Sequence, residues 1–320
     1  MASVSLIRSI VYTSLFGASA LLMSACSTTT PAIIPITPVV EAPRVALVLG
    51  GGGAKGFAHV GVIKALEESG ITPDIVVGTS VGSLVGSLYA SGITANRLEQ
   101  LALTTADNEL IDFTWSNQGF IEGIKLKNFI NTNVMGQSIE DFPISFAAIA
   151  ADRDTLTKAV FSTGNAGLAV QASCSVPNIF ISPRIPEKIG KKYIDGGVVS
   201  LVPVDSAFDL GADIVIAVDV TATDSRAPKT SSQMLNIKSL GSFWGLLEQN
   251  LTTNTTNGKR ANTELNRADI IITPKVSHIS SLDTSQRRAL IAAGNQATTL
   301  QIANIKQLIT DKSKSKYARL

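Results

Sequence analysis

Arg44 to Phe57 reads RVALVLGGGGAKGF: an aliphatic run stops at four consecutive glycines, Gly50 to Gly53, and a helical pattern, FAHVGVIKAL, follows. A strand that empties into a glycine loop and then a helix opens an α/β sheet, and the bare amides of such a loop can hold an anion. Further on, Gly78 to Gly82 reads GTSVG, a serine in G-x-S-x-G spacing. By composition alone that pattern arises in roughly one chain in ten of this length, so the flanks decide. Asp74 to Val77 (DIVV) reads as a short buried strand, and Val81 to Ala90 (VGSLVGSLYA) as a helix closed by Gly92. Strand, sharp turn, serine, helix is the order of a nucleophile elbow. Gly78 and Gly82 keep side chains out of a strained turn, and Ser80 stands at a helix N-terminus whose dipole favours a developing alkoxide. The other reading of Ser80 is the N-cap of an ordinary strand-to-helix turn.

A serine nucleophile needs a base, and the chain holds only two histidines, His59 and His278. The order serine, acid, histidine of an α/β-hydrolase triad leaves His278 alone as a candidate. It lies in the polar stretch VSHISSLD with no motif around it and reads as a loop histidine, while His59, one turn into the helix after the glycine loop, reads as structural. Carboxylates offer another route. Tyr193 to Val199, YIDGGVV, is a strand that breaks into Asp195, Gly196 and Gly197, where backbone can approach a substrate closely. An aspartate near its usual pKa of about 3.9 is a weak base, yet proton transfer concerted with attack needs only a positioned acceptor, and burial raises the pKa. A plain turn fits the same three residues.

Taken together and in this order, GGGGAKGFAHVGVIKAL, GTSVG and DGG closely resemble the patatin-like phospholipases. The likeness runs from about Arg44 to Asp311 and includes ASCSVPNIF at Ala172 to Phe180. It is nearest to smaller bacterial members and to the catalytic domain of neuropathy target esterase. The resemblance implies a three-layer α/β/α fold with a mostly parallel central sheet and a Ser-Asp dyad working without histidine or cofactor. It implies Ser80 as nucleophile, Asp195 as base, and Gly51, Gly52 and Gly53 as the frame of the oxyanion hole. Lys55, before Gly56, stands where the family more often has arginine, and both are cationic. Phospholipase, lysophospholipase or carboxylesterase action on acyl esters is the expected activity. The competing class is a non-catalytic envelope lipoprotein scaffold that keeps the fold.

Gly51, Gly53 and Gly56 also satisfy G-x-G-x-x-G. A dinucleotide site, however, needs an acidic residue at the end of the second strand, where this chain has Gly78, Thr79 and Ser80. A phosphate-binding Walker loop fails because Lys55 precedes Gly56 instead of following a glycine and preceding serine or threonine.

Residues 1–25 read as a lipoprotein signal peptide: Arg8 marks a weak basic region, Ile10 to Met23 an apolar core too short to span a membrane, and MSAC a lipobox ending at Cys26. Cleavage there leaves a lipidated Cys26 followed by Ser27, an order that suggests delivery to the periplasmic face of a bacterial outer membrane. Residues 26–43 carry four prolines and read as an extended tether. Cys174 then remains as the other cysteine and reads as a small core residue.

Residues 44–311 read as one catalytic domain, and a 45% hydrophobic content is ample for its core. Strands are expected at Pro143 to Ala150, Thr155 to Phe161, Asp213 to Val220 and Asp269 to Thr273, with a closing helix over Thr284 to Asp311. Leu240 to Leu251 (LGSFWGLLEQNL) reads as an amphipathic helix, either packed on the sheet or serving as a lid. Residues 312–320 form a basic tail. Cys/His metal spacing and basic stripes with aromatics are lacking, so neither metal nor nucleic acid is expected as a partner; the net charge of +2 selects nothing.

Overall fold

A computed structural model describes residues 42–222 and 264–317. The signal peptide, Cys26, nearly all of the tether, the amphipathic stretch 240–251 and the last three residues lie outside the described residues.

The chain begins with β1 (Val45–Leu49), a 3₁₀ turn at Gly53–Gly56, α1 (Phe57–Glu68), β2 (Ile75–Thr79) and α2 (Val81–Ala90). Next come α3 (Ala95–Thr104), α4 (Asp107–Leu110), the strands β3 (Phe113–Ser116) and β4 (Gly119–Ile121), and α5 (Ile124–Asn133). β5 (Ser145–Asp152), β6 (Lys158–Phe161), α6 (Ala166–Ser173), β7 (Arg184–Ile185) and β8 (Lys191–Asp195) lead to α7 (Val204–Asp209) and β9 (Ile214–Val218). β10 (Ile270–Ile272), α8 (Arg287–Thr299) and α9 (Ile302–Tyr317) close the described chain.

The fold is a three-layer α/β/α sandwich around a mixed sheet in the order β10-β9-β1-β2-β5-β8-β7, with β6 also paired to β5. Pairing is parallel from β10 to β5 and antiparallel for β5 with β6 and β8, and for β8 with β7. Strict alternation assigns each strand's side chains to two cores. Leu47, Leu49, Val76, Ile214 and Ile216 pack under α1, α2, α3 and α8, and Ala46, Val48, Ile75, Val77 and Val215 pack under α7. Being buried on both faces explains why β1 and β9 read as continuous aliphatic runs.

Two sequence expectations need correction. The closing helix breaks into α8 and α9 at Leu300 and Gln301. Thr298 and Thr299 bond their hydroxyls back to Gly294 O and Asn295 O, and Gln301 N closes a tight turn on Thr298 O at 2.8 Å; such β-branched hydroxyl residues are poor helix continuers. The segment read as a tail from residue 312 begins as helix, because α9 runs on to Tyr317 through lysines, which are good helix formers.

Candidate active site

Ser80 sits between the end of β2 and the start of α2 with φ 55° and ψ −128°. A side chain other than glycine pays about 1–3 kcal/mol for so sparsely populated a conformation, so the surroundings must impose it. They do. Ser80 N donates to Ser173 Oγ at 2.9 Å, Ser173 Oγ donates to Ile149 O, and Ser80 O accepts from Ser83 Oγ at 2.7 Å and Ser83 N at 2.8 Å. The flanking glycines are there for space. A methyl on Gly78 would stand 2.4 Å from Gly82 O, and one on Gly82 would stand 2.1 Å from Leu49 O, so α2 could not lie this close to β1 and β2.

Asp195 ends β8, whose antiparallel pairing with β5 sets Asp195 beside Ala150. Asp195 N donates to Ser175 O at 2.8 Å, which fixes the turn. Its Oδ1 accepts from Gly197 N at 2.7 Å and its Oδ2 from Ser80 Oγ at 2.6 Å, the short length of a charge-assisted O–H···O⁻ bond. Both residues are buried, with 8% and 5% of their surface exposed. Burial raises the Asp195 carboxyl to about 6 against the opposing pull of the hydrogen bonds from Ser80 and Gly197. Gly196 has no room for a side chain, since a methyl would meet Ile149 O at 2.2 Å.

The glycine loop lies against the same serine. A methyl on Gly51 would come 3.3 Å from Ser80 Cβ. The loop's amides divide in use. Gly50 N donates to Val218 O, Gly51 N to Leu201 O at 3.0 Å and Ala54 N to Ser281 O at 2.7 Å. Among the described residues Gly52 N and Gly53 N make no such main-chain bond, while their neighbours clamp the loop. Lys55 N folds back on Gly52 O at 3.3 Å, and Gly56 lies tight against Val81.

The two histidines are placed differently. His278 is exposed in the turn after β10. His59 is fully buried, and burial lowers its pKa to about 4 against the raising effects of Gly50 and Asp219. It is therefore neutral, and its Nε2–H donates to Gly50 O at 2.8 Å, so it supports the glycine loop. Cys174 is buried in the core, and burial, reinforced by the charge of Asp195, pushes its thiol well above the ordinary range, which leaves it inert as a nucleophile.

Sequence reading overlooked Ser173 as the side chain that holds the elbow amide; its one signal was the run of small residues Ser173, Cys174 and Ser175. Leu201 and Ser281 clamp the loop through main-chain carbonyls, which no residue pattern announces. No group of three His, Cys, Asp or Glu side chains that could hold a metal occurs among the described residues.

Beside Gly53 and Val81 opens an apolar cavity of about 200 Å³. Val81, Leu84, Val85 and Leu88 line it along one face of α2, and Leu98 and Leu101 face them from α3. At the rim Arg287 pairs with Asp107, Thr284 Oγ1 donates to Asp107 Oδ2 at 2.6 Å, and the guanidinium lies 5.0 Å from the Phe57 ring centre.

The profile of the family described as patatin-like phospholipase matches residues 47–208, which include the glycine loop, the elbow and Asp195. The chain belongs to the patatin-like phospholipase family. Among patatin-like relatives, mouse Patatin-like phospholipase domain-containing protein 6 is 33% identical over 219 residues, covering 67% of this chain and 16% of that protein. Lysophospholipase NTE1 of Kluyveromyces lactis is 36% identical over 211 residues, covering 64% and 14%. The chain thus spans about a sixth of the length of the curated relatives it matches. The crystal structure of VipD from Legionella pneumophila shares the fold, with a TM-score of 0.57 at 14% identity over 82% of this chain and 67% of that one. Membership of the patatin-like family supports a hydrolase activity in general. Among the described residues no helix is long and apolar enough to cross a membrane.

Proposed function

We propose that this protein is a serine esterase that hydrolyses acyl esters of lysophospholipids or phospholipids through Ser80 and Asp195. The observation that carries the reading is the 2.6 Å bond from Ser80 Oγ to a buried Asp195 carboxylate in a strained elbow. Ser80 Oγ attacks the acyl carbonyl carbon as its proton passes to Asp195 Oδ2, and the carbonyl oxygen takes up negative charge against the amides of Gly52 and Gly53. Collapse breaks the ester C–O bond, and the proton on Asp195 goes to the departing alcohol. Water then attacks the acyl-Ser80 carbonyl, giving its proton to Asp195, and the fatty acid leaves as Ser80 Oγ is reprotonated.

Reaction with a fluorophosphonate probe tests this directly: the wild-type chain is expected to be labelled and Ser80→Ala not. Equal labelling of the two would remove Ser80 from the chemistry, and no labelling of either would favour the scaffold class.

The cavity along α2 suits the acyl chain. Its volume exceeds the roughly 150 Å³ of a cavity that takes benzene. From Val81 to Leu88 the helix rises about 10 Å, and an extended chain advancing roughly 1.2 Å per bond covers that with about eight carbons. Leu84→Trp, which fills the cavity midway, should cut kcat/KM for p-nitrophenyl octanoate at least tenfold while p-nitrophenyl acetate changes less than threefold, on the scale of about 0.8 kcal/mol per buried methylene. Parallel losses on both esters would place the chain elsewhere. For location, the lipobox-like MSAC and the proline-rich tether support a bacterial envelope lipoprotein anchored through Cys26.

A further inference from the structure

At the edge of the sheet that carries Ser80, two exposed apolar projections flank a group of cations. The first is the small β3–β4 ribbon, on which Trp115 is 95% and Phe113 72% exposed. The second is the turn between β7 and β8, where Ile189 is 86% exposed. Between them lie Arg153, Arg184 and Lys192. Arg184 and Lys192 are directly paired across β7 and β8, a placement of like charges that costs stability. Arg153 N donates to Lys192 O, which sets a third cation alongside. Lys192 is held below its ordinary range first by burial and then by Arg153 and Arg184, with Asp154 opposing. The other acids nearby are engaged, Asp152 with Lys191 at 3.0 Å and Glu187 with Lys127 at 2.6 Å.

These parts form one surface with a fixed relation to the site. Lys192 Nζ donates to Gln118 Oε1 at 2.7 Å, tying the ribbon's turn to β8. Phe120 N and Ile121 N donate to Ile179 O at 2.7 and 2.9 Å, fixing the ribbon to the segment that follows Ser175, the residue that accepts from Asp195 N. β8 runs antiparallel to β5, with Tyr193 opposite Asp152 at the carboxyl end of that strand. Lys192 therefore lies about 10 Å beyond Asp195 on the solvent side, at the same edge as the elbow.

We infer that this edge is a docking surface for anionic lipid bilayers, with Trp115 and Ile189 entering the interface and Arg153, Arg184 and Lys192 meeting the headgroups. Charge selects the occupant. Exposed tryptophan beside three cations that form no salt bridge among the described residues matches the interfacial preference of that ring and the negative potential of an anionic leaflet. The surface is independent of the lipid chain at Cys26 and of whether Ser80 reacts, and it turns the elbow toward the membrane plane.

Full-length protein carrying Cys26→Ser, which excludes lipidation, is sedimented with vesicles of phosphatidylglycerol and phosphatidylcholine in equal parts and with phosphatidylcholine alone. Binding to the anionic vesicles is expected and should weaken as salt is raised. Each basic residue near such a surface is worth about a fivefold change in partition, so the triple variant Arg153→Gln, Arg184→Gln, Lys192→Gln should bind about a hundredfold more weakly. Trp115→Ser should lose about tenfold, the scale of withdrawing one large apolar side chain from water. In a Trp244→Phe background, which leaves Trp115 as the single tryptophan, its emission should shift to the blue on adding anionic vesicles. Equal binding to both vesicle types, full binding by the triple variant, or an unmoved Trp115 emission would overturn the proposal. So would a wild-type chain that ignores both vesicles, which would assign the surface to a protein partner.

Discussion

Asp195→Asn is expected to abolish ester hydrolysis while raising the melting temperature of the protein. The amide has the shape of the carboxylate and can keep the contacts to Gly197 N and Ser80 Oγ, but it cannot take the serine proton. Losing a general base costs about 10²- to 10⁴-fold in kcat. The stability gain comes from the same burial that makes Asp195 a better base. Its carboxyl is raised from 3.8 to about 6, so the fold prefers the protonated form. That contribution to stability is complete below about 3.9, the unfolded value, and is lost as the pH rises through about 6. At pH 8 the buried charge costs about 3 kcal/mol by the equivalence of one pKa unit to 1.36 kcal/mol. The asparagine variant escapes it and should melt roughly 5 °C higher. In the wild type, kcat/KM should fall tenfold per pH unit below about 6 and level off above it. His59→Gln and His278→Gln should each keep kcat within about tenfold. A collapse in the His278 variant, with Asp195→Asn still active, would mean a conventional triad.

Gly53→Ala is expected to lower kcat roughly 10²- to 10³-fold, the usual loss for one oxyanion donor. The added methyl would stand 2.4 Å from Ser281 O, a main-chain atom that cannot swing aside, and the backbone there has φ 58°, which favours glycine. Relief requires the loop to move, and with it the Gly53 amide. Gly70→Ala supplies the control. Its φ of 73° imposes the same conformational cost, but nothing lies within 4 Å of the new methyl. Stopped assays with p-nitrophenyl acetate and urea midpoints on both variants separate the two effects. Similar losses of activity in the two would mean that backbone strain, and not loop position, is responsible.

What the sequence made legible was local. β1, the glycine loop, α1, β2, the elbow and α2 could be read because each element is decided by neighbours in the chain: aliphatic runs make strands, glycines make room, and α2 ends at Gly92 as its turn residue requires. The proximity of Ser80 and Asp195 was readable only through resemblance, since 115 positions separate them and the antiparallel β8 that joins them has no periodic signature. Ser173 escaped notice because one small hydroxyl looks like any other until it is seen between Ser80 N and Ile149 O. The break between α8 and α9 was missed because its only local signal, the pair Thr298 and Thr299, sits inside an otherwise helical pattern. The β3–β4 ribbon is too short to show alternation.

The loop of glycines is finished by a residue far along the chain. Ser281 O accepts from Ala54 N and stands against Gly53, while α8 seals onto α1 where Gly61 meets Ile291 O and Gly294 meets Ala58 O. During synthesis the amino-terminal part leaves the ribosome first, so Ser80 and Asp195 emerge well before the strap that fixes Gly53. A nascent chain that ends between residues 220 and 280 therefore carries both side chains, and the Leu201 and Val218 contacts to the loop, but not the Ser281 clamp on Ala54 and Gly53. Full order at the loop arrives only with the segment around Ser281, which makes truncations that remove it more damaging than their distance from Ser80 in sequence suggests.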